Sequence, residues 1–276
     1  MYPWRRIVIP TDFSTAAEWS FDSAVQIAGT TGAELIILHV RATRPSNPDE
    51  LRFPADDSLY EYAEQHELEK LRDHARRANA RVPTRLVIQR APDPGTAISR
   101  TAADEDADLI VISTHARHHV AHLIIGSTTL NVLSGPSLPV LAIRYGIPSR
   151  RGLQKILVPV HLKQRSTAAA ALAASIARHE NSEIHLIIVC EEPERVASQD
   201  FLDAMAAETF DGAHIRPVVL QGKDVQAELA RYARAVDADA LFLNAGAHEI
   251  STLKQDIIRK VDTPVMLVPE TDPASA

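Results

Sequence analysis

The feature that most constrains this chain is an internal repeat, because its apolar segments occur twice in the same order. Four segments of the first copy, 6–10, 34–40, 107–112 and 138–143, recur as 155–159, 183–189, 238–243 and 263–268. The offset between the copies falls from 149 residues to 131 and then to 125, so the second copy is the shorter one. A repeat on this scale indicates that one supersecondary architecture is used twice.

Each copy shows the pattern of a parallel α/β sheet. Short runs rich in Ile and Val alternate with longer amphipathic segments, as in βαβ units whose strands are buried on both faces. The predicted strands of the first copy are 6–10, 34–40, 84–89, 108–113 and 138–143. The predicted helices are 14–29, 58–80, 96–104 and 127–133, then about 165–180, 198–210, 223–236 and 251–260 in the second copy. The sequence therefore predicts an α/β fold of two tandem, open, five-stranded, mainly parallel sheets with helices on both faces, as in Rossmann-like proteins.

The break between the copies falls at 145–153, where two glycines and a proline interrupt regular structure. We therefore expect two domains, 1–146 and 153–270, followed by a disordered tail at 271–276. The segment 44–57 contains three prolines and is predicted to form a long loop.

Composition excludes several classes of function. Lys and Arg total 29 against 36 Asp and Glu, and the net charge of −7 argues against a general binder of nucleic acid. No run approaches the roughly 18 apolar residues of a membrane span, and the N-terminal apolar run is too short for a signal-peptide core. Cys190 is the only cysteine, which suits a reducing compartment. We therefore expect a soluble cytoplasmic protein that binds neither nucleic acid nor membrane.

A ligand site is expected where the carboxyl ends of the central strands meet, at the point where the strand order reverses. Asp12 follows the first predicted strand, Val40 is placed at the end of the second, and 113–127 leads from the fourth to a helix that begins at Gly126-Ser127-Thr128. A helix N-terminus offers unpaired N–H donors to an anion, and Asp12 could accept a hydrogen bond from a ribose hydroxyl or an adenine amino group. The alternative is that Asp12 and Ser14 simply cap the first helix.

These motifs resemble those of the universal stress protein family. The resemblance is carried by Ile7-Val8-Ile9-Pro10-Thr11-Asp12-Phe13-Ser14, by Leu38-His39-Val40, by the run 107–115, and by Gly126-Ser127 followed by Leu138-Pro139-Val140-Leu141. Because it covers nearly the whole chain twice, the chain looks like a tandem universal stress protein. The resemblance implies the adenine nucleotide alpha-hydrolase-like variety of the fold.

The resemblance also implies an ATP or AMP site in the first copy. The family pattern after the fourth strand is Gly-x2-Gly-x9-Gly-Ser/Thr, and the matching positions here are Ser113, Ala116, Gly126 and Ser127. The spacing and the last pair are intact, but both early glycines are replaced by residues whose Cβ adds bulk where the backbone approaches phosphate. These departures weaken the case for a triphosphate more than the case for adenosine.

By resemblance, Asp12 and Val40 would hold adenine or ribose, and Gly126, Ser127 and Thr128 would hold phosphate. The other residues assigned to this site are Pro10, Thr11, Ser113 and His115.

The second copy departs further from the family pattern. Asp12 aligns with His161 and Ser14 with Lys163, and the segment 244–251 carries no Gly-Ser pair before its helix. We therefore expect no nucleotide in the second copy and a structural role instead. In the family the last strand pairs domains, so 138–143 and 263–268 are expected to form a pseudo-dimer within the chain; a homodimer of whole chains remains open.

A histidine cluster supports a separate hypothesis. His115, His118, His119 and His122 lie within eight residues, and at helical spacing their imidazoles could ligate zinc or copper. The alternatives are a solvated loop that happens to be rich in histidine, or neutral donors to phosphate, and no metal is assigned. His39, at the end of a buried strand, is expected to be hydrogen-bonded structure rather than a catalyst.

Three functions follow from these observations. The first is a non-enzymatic stress-response regulator with an adenine-nucleotide site in the first copy only. The second is an enzyme, either a slow ATPase or a metal-assisted hydrolase at the histidine cluster. The third is an interaction module that binds no nucleotide. No catalytic residue is assigned, because Cys190 has no arranged base at a fixed spacing.

Overall fold

The computed structural model describes residues 2–43, 58–79, 81–114, 125–147, 152–162, 168–209, 214–246 and 250–270. Strands and helices alternate along these residues. The first half contains β1 (Arg6–Thr11), α1 (Thr15–Thr31), β2 (Glu34–Ala42), α2 (Ser58–Ala78), β3 (Thr84–Ala91), α3 (Pro94–Asp104), β4 (Leu109–Ser113), α4 (Ser127–Leu133) and β5 (Val140–Ile143). The second half contains β6 (Lys155–Pro159), α5 (Ala168–Glu180), β7 (Glu183–Cys190), α6 (Arg195–Thr209), β8 (His214–Gln221), α7 (Val225–Val236), β9 (Ala240–Asn244), α8 (Thr252–Lys260) and β10 (Val265–Val268).

The ten strands form one sheet in the order β3-β2-β1-β4-β5-β10-β9-β6-β7-β8. Neighbouring strands within each half are parallel, as predicted. The halves meet at β5 and β10, which pair antiparallel with Leu141 opposite Met266. The predicted pairing of the two last strands is therefore present, and it joins the two five-stranded sheets into a continuous one.

This antiparallel seam reverses the second half relative to the first. The carboxyl ends of β1 and β4 lie at one edge of the sheet, and those of β6 and β9 lie at the opposite edge. Because ligand crevices of parallel sheets form at carboxyl ends, the two halves present their crevices in opposite directions.

The core lies on both faces of the sheet, because strand side chains alternate between faces. Ile7 and Ile9 belong to a buried cluster covered by α1, α2, α5 and α6, whereas Val8 belongs to a second cluster covered by α3, α4, α7 and α8. Each cluster contains residues of both halves, so the hydrophobic core is continuous across the seam.

Polar contacts join the halves as well. The Tyr2 hydroxyl donates to the Glu180 carboxylate at the end of α5, and its ring meets that of His179 edge-on at 5.4 Å. A second contact between the halves involves Arg144. Its guanidinium N–H donates to the Arg259 carbonyl oxygen at 2.8 Å, and the guanidinium also pairs with Asp262.

Several element ends differ from the sequence prediction by a few residues, and the reasons are clear at the ends of α1 and α3. α1 continues to Thr31 and stops at Gly32, whose φ of 74° is the left-handed conformation that glycine adopts freely. α3 begins at Pro94 rather than at residue 96, because the Asp93 carboxylate caps it and proline fits a first helical turn. Within the described residues, no helix has both the length and the apolar character needed to cross a bilayer.

The continuous sheet leads to a prediction about cooperativity. Leu141 is 2% exposed at the seam, and Leu141→Ala should lower the free energy of unfolding by about 2–5 kcal/mol through lost burial and a cavity. Both tryptophans, Trp4 and Trp19, are in the first half. When Leu141→Ala is unfolded in guanidinium, the midpoint of the tryptophan fluorescence transition and that of the far-UV circular dichroism transition should fall together, because the two halves share one core.

Ile88→Ala is the control, because Ile88 is 39% exposed on the edge strand β3 and should change stability by about 0.5 kcal/mol or less. A dichroism transition that stays at its wild-type midpoint in Leu141→Ala would show that the halves unfold separately.

Candidate functional site

The first-half residues singled out by sequence converge on one edge of the sheet. β1 and β4 are adjacent and parallel, with Val8 opposite Ile110, and the chain proceeds from them to opposite sides of the sheet. Asp12 directly follows β1. Gly126 lies just beyond β4, where its N–H donates to the Thr114 carbonyl oxygen at 3.0 Å. Asp12 and the start of α4 therefore flank the point where the strand order reverses.

The turn after β1 holds Asp12 without using it as a helix cap. Its Oδ1 accepts the Ser14 N–H at 3.0 Å, and the Thr11 Oγ1 accepts the Phe13 N–H at 3.0 Å. Ser14 is the cap of α1 and accepts the Ala17 N–H at 3.2 Å. Of the two roles that the sequence left open, capping α1 belongs to Ser14, and the half-buried Asp12 is set in the turn that precedes it.

Val40 does not end its strand, as the sequence suggested, because β2 continues to Ala42 in register with β3. It is half-buried and packs against the cluster beneath α3 and α4. Pro10 and Thr11 are buried within β1, opposite Leu38 and His39 of β2. These residues lie at the ends of β1 and β2, and Asp12 lies just beyond the paired part of β1.

Two hydrogen bonds hold the start of α4 against β4. One is the Gly126–Thr114 bond described above, and the other runs from the Thr129 Oγ1 to the carbonyl oxygen of the buried Ser113 at 2.8 Å. Gly126 is the N-cap residue and supplies no side-chain acceptor. The N–H groups of the first turn of α4 therefore receive no side-chain acceptor from this residue. In that turn Ser127 is exposed and Thr128 is half-buried.

A clamp between α3 and α4, missed by sequence analysis, sets the position of α4. The Asp93 carboxylate caps α3 through the N–H groups of Gly95 and Thr96 and also accepts the Asn131 Nδ2 of α4 at 2.6 Å. At Gly95 the helices approach so closely that a Cβ would lie 2.6 Å from the Asn131 Cβ. The Asp-Pro-Gly sequence signals the cap of α3, but only the packed structure shows its contact with α4.

The hydrogen bonds of this clamp also shift the titration of Asp93. The hydroxyl of Thr96, followed by the N–H groups of Thr96 and Gly95 and the amide of Asn131, holds the pKa of Asp93 below its ordinary value against an opposing effect of burial. The ionised carboxylate is therefore the form that the fold stabilises.

At the corresponding edge of the second half, two side chains of the protein accept hydrogen bonds from N–H groups near the starts of α5 and α8. Asn244, which ends β9 where Ser113 ends β4, extends its Oδ1 to the Ala169 N–H of α5 at 2.8 Å. The cap of α8 is Ser251, at the place of Gly126, and its own hydroxyl accepts the Lys254 N–H at 3.4 Å. His161 stands at the place of Asp12.

Other predicted residues fall outside the described part of the chain. These are the four histidines of the proposed metal cluster, His115, His118, His119 and His122, together with Ala116. Within the described ranges, no group of three or more His, Cys, Asp or Glu is arranged to hold a metal ion.

Comparison with known proteins identifies relatives of this chain. The sequence profile of the universal stress protein family matches residues 3–144, just over half of the chain. A universal stress protein of Methanocaldococcus jannaschii is 23% identical over 158 residues, which cover 51% of this chain and 95% of that protein.

Solved structures share the fold over nearly the full length. A universal stress protein from Archaeoglobus fulgidus superposes with a TM-score of 0.74 at 18% identity, covering 97% of both chains. A protein of unknown function from Pseudomonas aeruginosa superposes with a TM-score of 0.67 at 16% identity, covering 97% of this chain and 93% of that one. The likeness in fold therefore extends across both halves of the chain.

The Asn244 contact predicts a matched pair of variants. Asn244→Ala removes the acceptor for the Ala169 N–H and should cost about 1 kcal/mol, the usual effect of a lost helix cap. Asn244→Asp keeps an acceptor oxygen and should retain most of that stability. The measurements are chemical denaturation and amide exchange at Ala169; equal exchange in wild type and Asn244→Ala would contradict the contact.

The lowered pKa of Asp93 predicts a dependence of stability on pH. A carboxyl with a depressed folded-state pKa stabilises the fold above its unfolded pKa, near 3.9, and this contribution is lost as pH falls through the folded-state pKa. Asp93→Asn should therefore be less stable than wild type at pH 7, by about 0.5–1 kcal/mol after allowance for solvent screening.

The difference between wild type and Asp93→Asn should narrow as the pH falls below about 4, because the unfolded chain then binds a proton at Asp93 that the folded protein, with its lowered pKa, does not yet bind. Denaturation midpoints of both proteins at several pH values provide the measurement. A difference that is constant from pH 7 to pH 3 would show that the charge of Asp93 contributes nothing.

Proposed function

The chain belongs to the universal stress protein family, and from that premise we propose that it is a non-enzymatic regulatory protein with an adenine-nucleotide site in its first half. The site lies between the turn at Asp12 and the start of α4. The domains are 1–146 and 153–270, and the second domain is structural. Action in the cytoplasm and assembly of whole chains into a homodimer remain predictions from the sequence.

The observation that carries the proposal is the helix start at Gly126. A helix N-terminus leaves N–H donors to be satisfied by a side chain, water or ligand, and its dipole favours an anion. In α1, α3, α7 and α8 a side chain of the cap residue supplies an acceptor, whereas Gly126 of α4 supplies none. α4 is also the helix whose start lies beside Asp12 at the reversal of strand order, the usual ligand position in this architecture.

The two sides of the site suit the two ends of a nucleotide. The carboxylate of Asp12 accepts hydrogen bonds, as a ribose hydroxyl or an adenine amino group requires, and the half-buried Val40 offers apolar contact. The N–H groups at Ser127 and Thr128 donate hydrogen bonds, as a phosphate requires. Pro10, Thr11 and Ser113 form the strand ends between them.

The comparison of helix starts in the two halves supports nucleotide binding in the first half only. Ser251 caps α8 with its own hydroxyl, and Asn244 reaches across from β9 to α5. The first turn of α8 and the start of α5 thus each receive an acceptor from a side chain of the protein. His161 in place of Asp12 also removes the carboxylate.

A binding role is favoured over turnover by the groups assigned to the site. A carboxylate, an apolar side chain and backbone N–H groups bind and orient a nucleotide. Among the described residues of the site, they provide no cationic side chain to stabilise a transferring phosphoryl group, which efficient phosphoryl transfer requires.

Two variants test the nucleotide site by isothermal titration calorimetry with ATP, ADP and AMP. Asp12→Ala should weaken binding about tenfold or more, because a hydrogen bond from the nucleotide to a charged acceptor is lost. Gly126→Ser installs the cap residue of α8 and should also weaken binding, because its hydroxyl competes for the α4 N–H groups.

Gly126→Ser should stabilise the protein by a few tenths of a kcal/mol while it weakens binding, so the two effects have opposite signs and a folding defect cannot mimic them. The Gly126 backbone, with φ −64° and ψ 151°, accepts any residue. Equal and negligible heats for wild type and Asp12→Ala would refute nucleotide binding, and steady phosphate release from ATP above background would refute the non-enzymatic role.

A further inference from the structure

A buried histidine lies behind the proposed nucleotide site, on the opposite face of the sheet from Val40. His39 is 5% exposed on β2. Since strand side chains alternate, Val40 packs under α3 and α4 whereas His39 faces α1 and α2. A residue in this position does not line the crevice, so any effect on a ligand must act through its neighbours.

The ring of His39 contacts both residues that flank Asp12. Its Nδ1 lies 2.9 Å from the Thr11 carbonyl oxygen. A carbonyl oxygen can only accept a hydrogen bond, so Nδ1 carries the proton and donates it. The ring of Phe13 lies over the imidazole, with the ring centres 4.5 Å apart and the planes tilted by 31°.

Phe13 has a backbone conformation that needs such support. Its φ of 61° is in the left-handed region, which a bulky residue rarely occupies and which carries a cost in free energy. Its N–H donates to the Thr11 side chain, and its ring rests on His39. The strained turn therefore depends on contacts at Thr11 and at the Phe13 ring, and His39 takes part in both places.

The other side of His39 is fixed by α2. Its Nε2 lies 3.4 Å from the Glu64 Oε1, and Glu64 is in turn held by Arg41, whose Nε donates to the same oxygen at 2.9 Å. A second Arg41 N–H donates to the other carboxylate oxygen, so the pair is bidentate and geometrically specific. The imidazole is thus set between a rigid carboxylate and the end of β1.

We infer that His39 is a positioning residue: it holds the Thr11–Ser14 turn from behind the sheet and so sets the carboxylate of Asp12. The importance of this position for nucleotide binding rests on the proposed function. His39 itself makes no contact with the ligand.

The second half provides an internal comparison. At the offset that aligns β1 with β6, Ile188 stands at the place of His39, Val160 at that of Thr11 and His161 at that of Asp12. The half that lacks the carboxylate also lacks the imidazole and the threonine behind it. This joint replacement is expected if the buried histidine serves the carboxylate rather than the general stability of the sheet.

Three substitutions separate the contacts of His39. The amide nitrogen of His39→Asn occupies nearly the position of Nδ1 and can donate to the Thr11 carbonyl oxygen. His39→Gln reaches instead toward the Nε2 position and Glu64. His39→Leu preserves bulk and makes neither hydrogen bond. His185→Leu is the matched control, because His185 is also a buried strand histidine, 1% exposed, but lies in the second half.

Calorimetry with AMP and ATP and amide exchange by NMR provide two readouts. We expect His39→Asn to bind nearly as wild type, and His39→Gln and His39→Leu to bind about tenfold more weakly. The N–H groups of Phe13 and Ser14 should exchange faster in the Gln and Leu variants. His185→Leu should lower stability and leave both readouts unchanged.

Binding by His39→Gln equal to wild type, or by His39→Asn as weak as His39→Leu, would overturn the inference. If wild type and all variants bind no nucleotide, the proposed function fails, and exchange alone decides the role of His39. Faster exchange at Phe13 and Ser14 in His39→Leu then supports its hold on the turn, and unchanged exchange overturns it.

Discussion

The antiparallel pairing of β5 with β10 is the interaction on which the rest of this structure depends. An isolated five-stranded sheet would expose the last strand of each half as an unpaired edge, which invites association with other chains. Pairing the two last strands satisfies these backbone groups and leaves β3 and β8 as the outer strands of the described sheet. Pro217 lies on the outer strand β8, and a proline, which has no N–H to donate, is typical of an edge strand.

The seam also fixes the relative direction of the two halves. Because it reverses the second half, the carboxyl edges of the two sets of parallel strands point in opposite directions. The halves can therefore diverge at their carboxyl edges without disturbing the shared core. Their cores, by contrast, run together on both faces of the sheet.

The two halves differ in which groups accept hydrogen bonds from the N–H groups at the starts of their helices. Every helix begins with N–H groups that need acceptors. In the second half Ser251 and Asn244 provide them from within the protein, which favours stability. In the first half α4 starts at Gly126, which provides none, and Asp12 lies in a turn that contains the left-handed Phe13 and contacts His39. These differences are local, and they lie at the start of one helix and in the turn after one strand of each half.

Sequence analysis predicted most of the fold, and it predicted that Asp12 and the start of α4 lie at the same edge of the sheet. Strands of consecutive Ile and Val, duplicated in order, indicate parallel sheets, and the carboxyl ends of such strands meet at one edge whatever the details. The ends of elements were predicted less accurately than their order. The sequence pattern ends the second strand at Val40, whereas hydrogen bonds to β3 extend β2 to Ala42. The contacts of Asp93 with Asn131, of Thr129 with Ser113 and of Asn244 with Ala169 had no local signal.

The sequence by itself determined the repeat, the alternation of strands and helices, and the loss of the carboxylate and of the glycine-serine pair in the second copy, because these depend on residue type and spacing along the chain. Only the tertiary structure decided that Asn244 crosses to α5 and that His39 lies between Thr11 and Glu64. Such contacts join atoms that are distant in sequence, and their partners are chosen by how the helices pack on the sheet.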